Sequence, residues 1–306
     1  MLRTTVPVLS MIGNTPTVPL TFTAEGLTIW CKAEYLNPSG SIKDRLAKCL
    51  LTDAAARGEL TPDSLVVECS SGNTGIAMAM VGTALGVRVR ILMSAGASVE
   101  RRRIIRHLGA ELELFDSSGG YQVGIDLSRA MAAADPRVFL PRQFENPLNS
   151  AENEQHTGAE LLAQVPGPID AFVSGFGTGG TLAGCGRAVK TRYPAAQVVA
   201  MEPAESSLLA GECPCCHVIE GVADGFIPTL MRDAPVDRTV KVTGAEAMAM
   251  TRRLALEHGL IVGTSSGANL AAALRIAGEF GPGATVVTLL PDRAERYFST
   301  ALFAPE

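Results

Sequence analysis

The residues with the clearest potential for chemistry surround Lys43, which lies in the run NPSGSIKDR at residues 37–45. Asn, Pro, Gly and Ser favour turns, so the run indicates a loop that enters a helix continuing through Arg45 to Ala56. The positive end of a helix dipole disfavours a cation in the first turn, so a lysine there carries an electrostatic cost. By itself the run indicates either an exposed, solvated lysine or a lysine retained for chemistry.

Three further loops are rich in Gly, Ser and Thr and stand next to a predicted strand or helix. The loop SSGNTG at 70–75 has more small polar residues than a helix cap needs, and its backbone N–H groups suit a carboxylate or a phosphate. The loop GFGTGGT at 175–181 favours a phosphate over a simple tight turn, because its glycines let the backbone approach an anion. The loop GTSSGA at 263–268 is weaker evidence, since Ser266 could be an ordinary helix cap. Because ligands collect at the carboxyl ends of strands in parallel α/β folds, these loops are candidates for one shared site.

The second of these loops also fits the dinucleotide-binding pattern G-x-G-x-x-G, through Gly175, Gly177 and Gly180. Glu202 follows about 20 residues later, where an acidic side chain would hold a ribose. A nicotinamide-dependent dehydrogenase is therefore an alternative on this local pattern.

Strand-forming and helix-forming segments alternate along most of the chain. The predicted strands are 65–69, 87–93, 111–115, 169–174, 197–201 and 284–290. The predicted helices are 75–85, 99–108, 121–134, 181–193, 245–258 and 268–280. This alternation predicts an α/β fold of two layered units with mainly parallel sheets covered on both faces. The polar stretch 144–153, which contains Pro147, is expected to be a crossover between the units.

The composition excludes several classes of protein. The chain has 306 residues, 47% of them hydrophobic, which is enough for one large or two medium domains. Its net charge is −5, so it lacks the basic surface that nucleic-acid binding requires. We see neither an apolar run of about 20 residues that would span a bilayer nor a signal peptide. The seven cysteines are therefore expected to be reduced thiols in a cytoplasmic protein without membrane partners.

In this order, the four loops resemble those of the cysteine synthase family, which comprises the O-acetylserine sulfhydrylases and the related cystathionine β-synthases. The resemblance extends from IGNTP at 12–16 to DRAERYFST at 292–300 and gives a role to both Lys43 and Asn73, which the dehydrogenase alternative does not. It implies the cofactor pyridoxal 5′-phosphate, the tryptophan synthase β-like architecture called fold type II, and a homodimer. It also implies a larger domain that binds the cofactor phosphate, from residues 1–38 and 150–306, and a smaller mobile domain, 39–149, that carries the substrate carboxylate loop.

The resemblance assigns roles to individual residues. Lys43 would form the Schiff base with the cofactor and act as the catalytic base. The other implied cofactor contacts are Asn73 at the 3′ oxygen, Ser265 at the ring nitrogen, and Gly177, Thr178, Gly179, Gly180 and Thr181 at the phosphate. The implied substrate-binding residues are Ser70, Ser71, Gly72, Thr74, Gln143 and Gly221.

The implied reaction is a β-replacement on an O-activated serine through an aminoacrylate intermediate, with O-acetyl-L-serine and sulfide giving L-cysteine and acetate. The alternatives are another nucleophile, as in cystathionine β-synthases, β-cyanoalanine synthases or diamino acid synthases, and a cofactor-bearing protein without activity. Family members that use phosphoserine carry an arginine in the loop that corresponds to 205–228. This loop contains no Arg or Lys and only His217 as a cation, which favours an acetyl leaving group.

Three segments depart from the family pattern. Ser70 stands where a threonine is usual, and NEQHTG at 153–158 replaces the usual H-Y-x-T-T-G. The run GECPCCH at 211–217 gives Cys213 and Cys216 the spacing C-x-x-C, with His217 adjacent. The spacing is compatible with a metal site or a redox switch. A structural zinc site normally needs a second ligand pair, and none is evident, so we expect a surface loop with reduced thiols and no metal, with a thiol-based redox role as the alternative.

Overall fold

Two separate β-sheets organise the chain in a computed structural model that describes residues 2–3, 6–116, 120–212 and 214–304. The strands are β1 (Thr17–Phe22), β2 (Leu27–Lys32), β3 (Leu65–Cys69), β4 (Arg88–Ser94), β5 (Glu111–Phe115), β6 (Val138–Phe139), β7 (Ala171–Gly175), β8 (Gln197–Pro203), β9 (Arg238–Val242) and β10 (Val286–Leu289). The α-helices are α1 (Pro7–Ser10), α2 (Lys43–Ala56), α3 (Asn73–Leu85), α4 (Val99–His107), α5 (Gln122–Ala134), α6 (Leu148–Glu152), α7 (Ala159–Gln164), α8 (Gly180–Arg192), α9 (Gly244–His258) and α10 (Thr264–Phe280).

The larger sheet has the strand order β1-β2-β10-β7-β8-β9, and the smaller sheet has the order β5-β4-β3-β6. Every neighbouring pair is parallel except β1 with β2. The prediction of two layered α/β units with mainly parallel sheets is therefore confirmed.

Apolar side chains cover both faces of each sheet. In β7, Ala171 and Val173 belong to one core and Phe172 belongs to the core on the opposite face, because successive strand residues point in opposite directions. In β3, Val66 and Val67 divide between two cores in the same way. Burial on both faces explains why these strands read as continuous apolar runs in the sequence.

The antiparallel pair of β1 and β2 was not predicted. Pro19 lies within β1, and a proline within an apolar run argues against a central strand. The structure accommodates it because β1 is an edge strand of the larger sheet, with β2 as its one hydrogen-bonded neighbour.

The stretch expected to be a polar crossover is largely helical. The helix α6 continues through a π-helical segment, Asn153–Gly158, into α7. Asn153 is buried, and its side-chain nitrogen donates to the carbonyl of Asn149 at 2.9 Å. The polar residues that indicated a loop thus bond to backbone within a helix, and π-helical turns of this kind occur frequently at functional sites.

Two helices begin well before their predicted starts. The helix α10 begins at Thr264 rather than at 268, and α3 begins at Asn73 rather than at 75. The residue before α10 is Gly263, which has no capping side chain, so Ser266 lies inside the first turn and is not the cap. The helix α2 begins at Lys43, which places this lysine in the first turn as expected.

The division of the chain into domains at 38/39 and 149/150 stays a prediction. All strands of the larger sheet fall on one side of that division and all strands of the smaller sheet on the other. Within the part of the chain that the structure describes, no helix combines the length and apolar character needed to cross a membrane.

A buried network of charges fixes the start of α2. Arg45 donates to both carboxylate oxygens of Glu34 at 2.8 Å and to those of Glu160 at 2.8 and 2.7 Å. Lys32 pairs with Glu160 at 2.7 Å. Arg45, Glu34 and Lys32 are all buried, so this network attaches the first turn of the Lys43 helix to β2 and α7.

We expect Arg45→Met to lower the free energy of unfolding by about 3–5 kcal/mol, because it leaves the buried carboxylate of Glu34 without its cation. Urea denaturation of the two proteins measures the difference. Arg129→Met removes exposed ion pairs with Asp126 and Glu145 and should change stability little. If Arg45→Met lowered the free energy of unfolding as little as the control does, the role of Arg45 in fixing the start of α2 would be contradicted.

Candidate active site

The four loops identified in the sequence meet at one cavity. The cavity lies beyond the carboxyl ends of β3 and β7, where parallel α/β folds bind their ligands. Of the predicted site residues, those that line it are Lys43, Ser70, Ser71, Asn73, Thr74, Gln143, Gly177, Thr178, Gly179, Thr181, Gly221 and Ser265. Gly72 and Gly180 belong to the same loops but do not line the cavity.

Lys43 is the first residue of α2 and faces this cavity. Burial lowers the pKa of its amine, and the nearby carboxyl groups of Asp224 and Asp292 oppose that shift. The loop before it is held by Asp44, which accepts a hydrogen bond from the Ser39 backbone at 2.7 Å and another from the Ser39 hydroxyl. The placement that is electrostatically costly therefore brings the amine closer to its neutral, nucleophilic form.

The loop at 70–75 is shaped by its own side chains and by an arginine from α4. The Ser70 hydroxyl accepts from the backbone of Gly72 at 3.1 Å and of Gly75 at 2.8 Å. Arg101 donates to the carbonyl of Ser71 at 2.8 Å. A Cβ atom on Gly72 would collide with the Arg101 side chain, which explains why glycine stands there.

Gln143 joins this loop from the opposite side. Its amide oxygen accepts from the Thr74 hydroxyl at 2.6 Å, and its amide nitrogen donates to the carbonyl of Cys69 at 2.7 Å. One further N–H of the amide is left to meet a ligand. The buried carboxyl of Glu68 accepts from the backbone of Gln143 at 3.2 Å, where Arg142 adopts a left-handed conformation with φ 56°. Glu68 thus supports the turn that presents Gln143.

The glycine-rich loop at 175–181 has the shape of an anion cradle. Gly179 adopts φ 84° and precedes α8, whose first turn has no side-chain cap. A Cβ on Gly177 would lie 2.6 Å from the carbonyl oxygen of Gly221, so the two segments need glycine to approach each other. The Thr178 hydroxyl accepts from the Asn149 side chain at 2.9 Å. Backbone N–H groups at a helix start, reached through glycines, suit a phosphate.

The first turn of α10 supplies Ser265 to the cavity, whereas Ser266 does not line it. The Ser266 hydroxyl is buried and has no hydrogen-bond partner. The first serine of the pair is therefore the one that can meet a ligand.

Several cavity residues were missed by the sequence analysis. Arg101 forms a two-pronged ion pair with Glu220 at 3.1 Å and has 4% of its side chain exposed. Asp224 lies in the same loop as Glu220, and burial raises the pKa of its carboxyl, while Lys43 and His217 oppose the shift. Glu220 and Asp224 lie in the same loop as Gly221, so the loop 220–226 is the sequence signal that could have identified both residues. Arg101 gave none, because it lies in a helix with three other arginines.

Glu202, the acidic residue of the dinucleotide-binding pattern, does not line the cavity. Glu202 lies in β8, is buried, and accepts from the backbone of Leu209 at 2.8 Å. The dehydrogenase alternative therefore loses the residue that would bind its ribose.

The cysteine-rich loop lies partly outside the described residues, since Cys213 is one of those not described. Cys215 and Cys216 are exposed thiols, and a ring nitrogen of His217 lies 3.2 Å from the carbonyl of Ala223. Among the residues that the structure describes, no group of three His, Cys, Asp or Glu side chains could hold a metal ion.

Comparison with known proteins agrees with this geometry. The family model for the pyridoxal-phosphate dependent enzymes matches residues 8–292. A cysteine synthase of Staphylococcus aureus is 42% identical over 297 residues, which are 96% of each chain. An O-ureido-L-serine synthase of Streptomyces lavendulae is 41% identical over 97% of this chain and 92% of its own. The crystal structure of an O-acetylserine dependent cystathionine β-synthase from Helicobacter pylori has a TM-score of 0.93 at 35% identity, covering 99% of this chain and 100% of that one.

The chain therefore belongs to the pyridoxal-phosphate dependent enzyme family, and its two mainly parallel sheets are those of fold type II. Within that family it is a cysteine synthase-like enzyme that catalyses β-replacement on an amino-acid substrate.

The cavity fits pyridoxal 5′-phosphate at each of the cofactor's functional groups. The glycine cradle suits its phosphate, Ser265 and Asn73 are polar groups suited to its ring, and Lys43 is an amine that can bond its aldehyde carbon. When bound, the cofactor withdraws electrons from the α-carbon of the amino acid. The assignment of these contacts to individual residues stays a prediction.

The support that Glu68 gives to Gln143 should produce a pH dependence of stability. Burial raises the pKa of Glu68 to about 8, from an ordinary value of 4.5. Between these pH values the folded protein keeps a proton on Glu68 that the unfolded chain releases. The stability that the protonated carboxyl contributes is therefore complete below pH 4.5 and is lost as the pH rises through about 8. The loss should reach about 1.4 kcal/mol per pH unit at most.

We expect the stability of Glu68→Gln to fall less with rising pH than that of the wild type, as measured by urea denaturation at a series of pH values across this range. Glu59→Gln, at an exposed position, should follow the wild-type curve. Parallel curves for Glu68→Gln and the wild type would contradict the prediction.

Proposed function

We propose that this enzyme converts O-acetyl-L-serine and sulfide into L-cysteine and acetate, with the cofactor bound covalently to Lys43. The observation that carries the choice of leaving group is the ion pair of Arg101 with Glu220 at the edge of the cavity. The identity with a cysteine synthase over 96% of the chain supports the choice of product.

The ion pair bears on the charge of the leaving group. A phosphate ester needs a free cation, ideally an arginine that can donate two parallel hydrogen bonds. The two terminal nitrogens of the Arg101 guanidinium already donate to the two carboxylate oxygens of Glu220, each at 3.1 Å. An uncharged acetyl group loses nothing by this arrangement, whereas a phosphate would compete with the Glu220 carboxylate for Arg101.

Lys43 and Asp224 are the groups that would move protons. A neutral Lys43 amine would take the proton from the α-carbon of the substrate as a general base. Asp224 lies near Lys43 and has a raised pKa, so its carboxyl would exchange a proton with the incoming nucleophile. Ser70, Ser71, Thr74 and Gln143 would hold the substrate carboxylate, and Gly221 would face the substrate from the opposite loop.

A second candidate is β-replacement with a nucleophile other than sulfide. The O-ureido-L-serine synthase is as similar to this chain as the cysteine synthase is, at 41% and 42% identity. A buried carboxyl at Asp224 suits a nucleophile that enters with a proton to lose, such as a thiol or an amine.

The proposal can be tested with the purified protein and its Lys43→Ala variant. The wild type should be yellow with pyridoxal phosphate, and borohydride should attach the cofactor to the peptide that contains Lys43, whereas the variant should gain no covalent label. With O-acetylserine, sulfide should give the highest kcat/KM in a panel that includes homocysteine, cyanide and an amine. Product with another nucleophile alone would favour the second candidate, and no cofactor absorbance in the wild type would overturn both.

We expect Glu220→Gln to raise the kcat/KM for O-phosphoserine relative to O-acetylserine about tenfold or more, because it frees Arg101 for a phosphate. Steady-state kinetics on both substrates measures the ratio. Glu212→Gln, which breaks an exposed pair with Lys241, should leave the ratio unchanged. Adding Arg101→Gln to Glu220→Gln should abolish the gain, and a gain that persists would contradict the role of Arg101.

The homodimer, the cytoplasmic location and the movement of the domain 39–149 that the resemblance implies are part of the same proposal. Closure of that domain on the substrate carboxylate would exclude water from Lys43.

A further inference from the structure

The side-chain amide of Asn73 is held at both of its ends by residues that do not line the cavity. Its nitrogen donates to the Asp292 carboxylate at 2.6 Å, and its oxygen accepts from the Arg296 guanidinium. Asp292 also accepts from the Tyr297 hydroxyl. Asp292 and Arg296 are buried, with 1% and 4% of their side chains exposed, while Asn73 itself lines the cavity.

These two partners determine which way the amide points. A guanidinium has donors only, so it can meet only the amide oxygen, and the Asp292 oxygen that receives both donors can meet only the amide nitrogen. Rotating the amide by half a turn would place the Asn73 nitrogen against Arg296 and its oxygen against Asp292. Both contacts would then be lost in a buried place, where an unsatisfied polar group is costly.

The second N–H of Asn73 is consequently the polar group that this side chain can offer to the cavity. A fixed N–H at that position suits a ligand oxygen that carries negative charge. It does not suit a hydroxyl group that needs an acceptor.

We propose that Arg296 and Asp292 are positioning residues that lock the Asn73 amide as a hydrogen-bond donor toward the ring oxygen of the cofactor. This inference rests on the proposed function for the identity of the cofactor. The two residues act through Asn73 and touch neither cofactor nor substrate.

Arg296 also sets where the locked amide stands relative to Lys43. Its second terminal nitrogen donates to the carbonyl of Ser39 at 2.8 Å and of Gly40 at 3.1 Å, in the loop before Lys43. A Cβ on Gly40 would collide with that nitrogen, and Gly40 adopts φ 88°. One guanidinium thus joins the loop of the covalent lysine to the loop of the ring-oxygen donor. A lysine has a single terminal nitrogen and lacks the planar fork that places donors at two separate positions.

The test compares affinities of the apoprotein for pyridoxal 5′-phosphate and for its analogue that lacks the ring hydroxyl. We expect Arg296→Lys and Asn73→Ala each to weaken the binding of pyridoxal phosphate about tenfold. Asn73→Ala should leave the binding of the analogue unchanged, since the analogue has no oxygen for the amide to meet. Arg296→Lys should weaken the binding of the analogue less than that of pyridoxal phosphate, because the contacts of Arg296 with Ser39 and Gly40 serve both cofactors. In the double variant the ratio of the two affinities should equal that of Asn73→Ala alone, because Arg296 discriminates the ring oxygen through Asn73.

Arg293→Lys is the matched control, since Arg293 lies in the same segment and donates to the carbonyl of Tyr35 at 2.9 Å. It should leave both affinities unchanged. If Arg296→Lys does not fold, as judged by its melting temperature, Asp292→Ala replaces it with the same expected selectivity for the cofactor that carries the oxygen.

Equal losses for the two cofactors in Arg296→Lys, or a further change of the ratio of the two affinities in the double variant, would overturn the inference and leave Arg296 a merely structural residue. Failure of the wild type to bind either cofactor would instead overturn the proposed function. The two failures are therefore distinguishable.

Discussion

The site depends on keeping one amine away from water at the start of a helix. Lys43 is partly buried between loops from both sheets, and this burial is what lowers its pKa. Other contacts have to stabilise this helix start. The residue before it provides no side-chain cap, and a positive charge in the first turn of a helix is unfavourable. Asp44 holds the preceding turn, Arg45 anchors the helix to buried carboxylates, and Arg296 holds the loop from the far end of the chain. Three charged side chains thus stabilise the position of a fourth that has to become neutral.

Much of the candidate site could be predicted because it consists of loops that follow strands or precede helices. In such places local sequence determines both the turn and the direction of the side chains, so Lys43, Asn73 and the glycines at 177–180 were identifiable. Ser265 could be distinguished from Ser266 only by the resemblance to a family, since either hydroxyl could cap a helix. The structure then shows which of the two faces the cavity.

The parts that could not be predicted depend on contacts between residues distant in sequence. Arg101 reaches the cavity from a helix with three other arginines, and nothing nearby in the sequence shows that Glu220 will meet it. The amide of Asn73 receives its two partners from a segment more than two hundred residues later. The edge strand containing Pro19 and the π-helical turn at Asn153 have a different cause: each breaks a local preference, and hydrogen bonds to nearby residues, those of β2 and Asn149, offset the cost.

The position of β10 links the order of synthesis to the order of folding. This strand comes from the end of the chain, yet it lies in the interior of the larger sheet, between β2 and β7. Until the ribosome has released it, β2 and β7 both present open hydrogen-bonding edges and cannot join into one sheet. The smaller sheet, whose strands are contiguous in sequence, has no such delay. During translation the half of the protein with the loop 70–75 can therefore fold before the half with the glycine-rich loop 175–181, and the two meet around Lys43 only after β10 has been made.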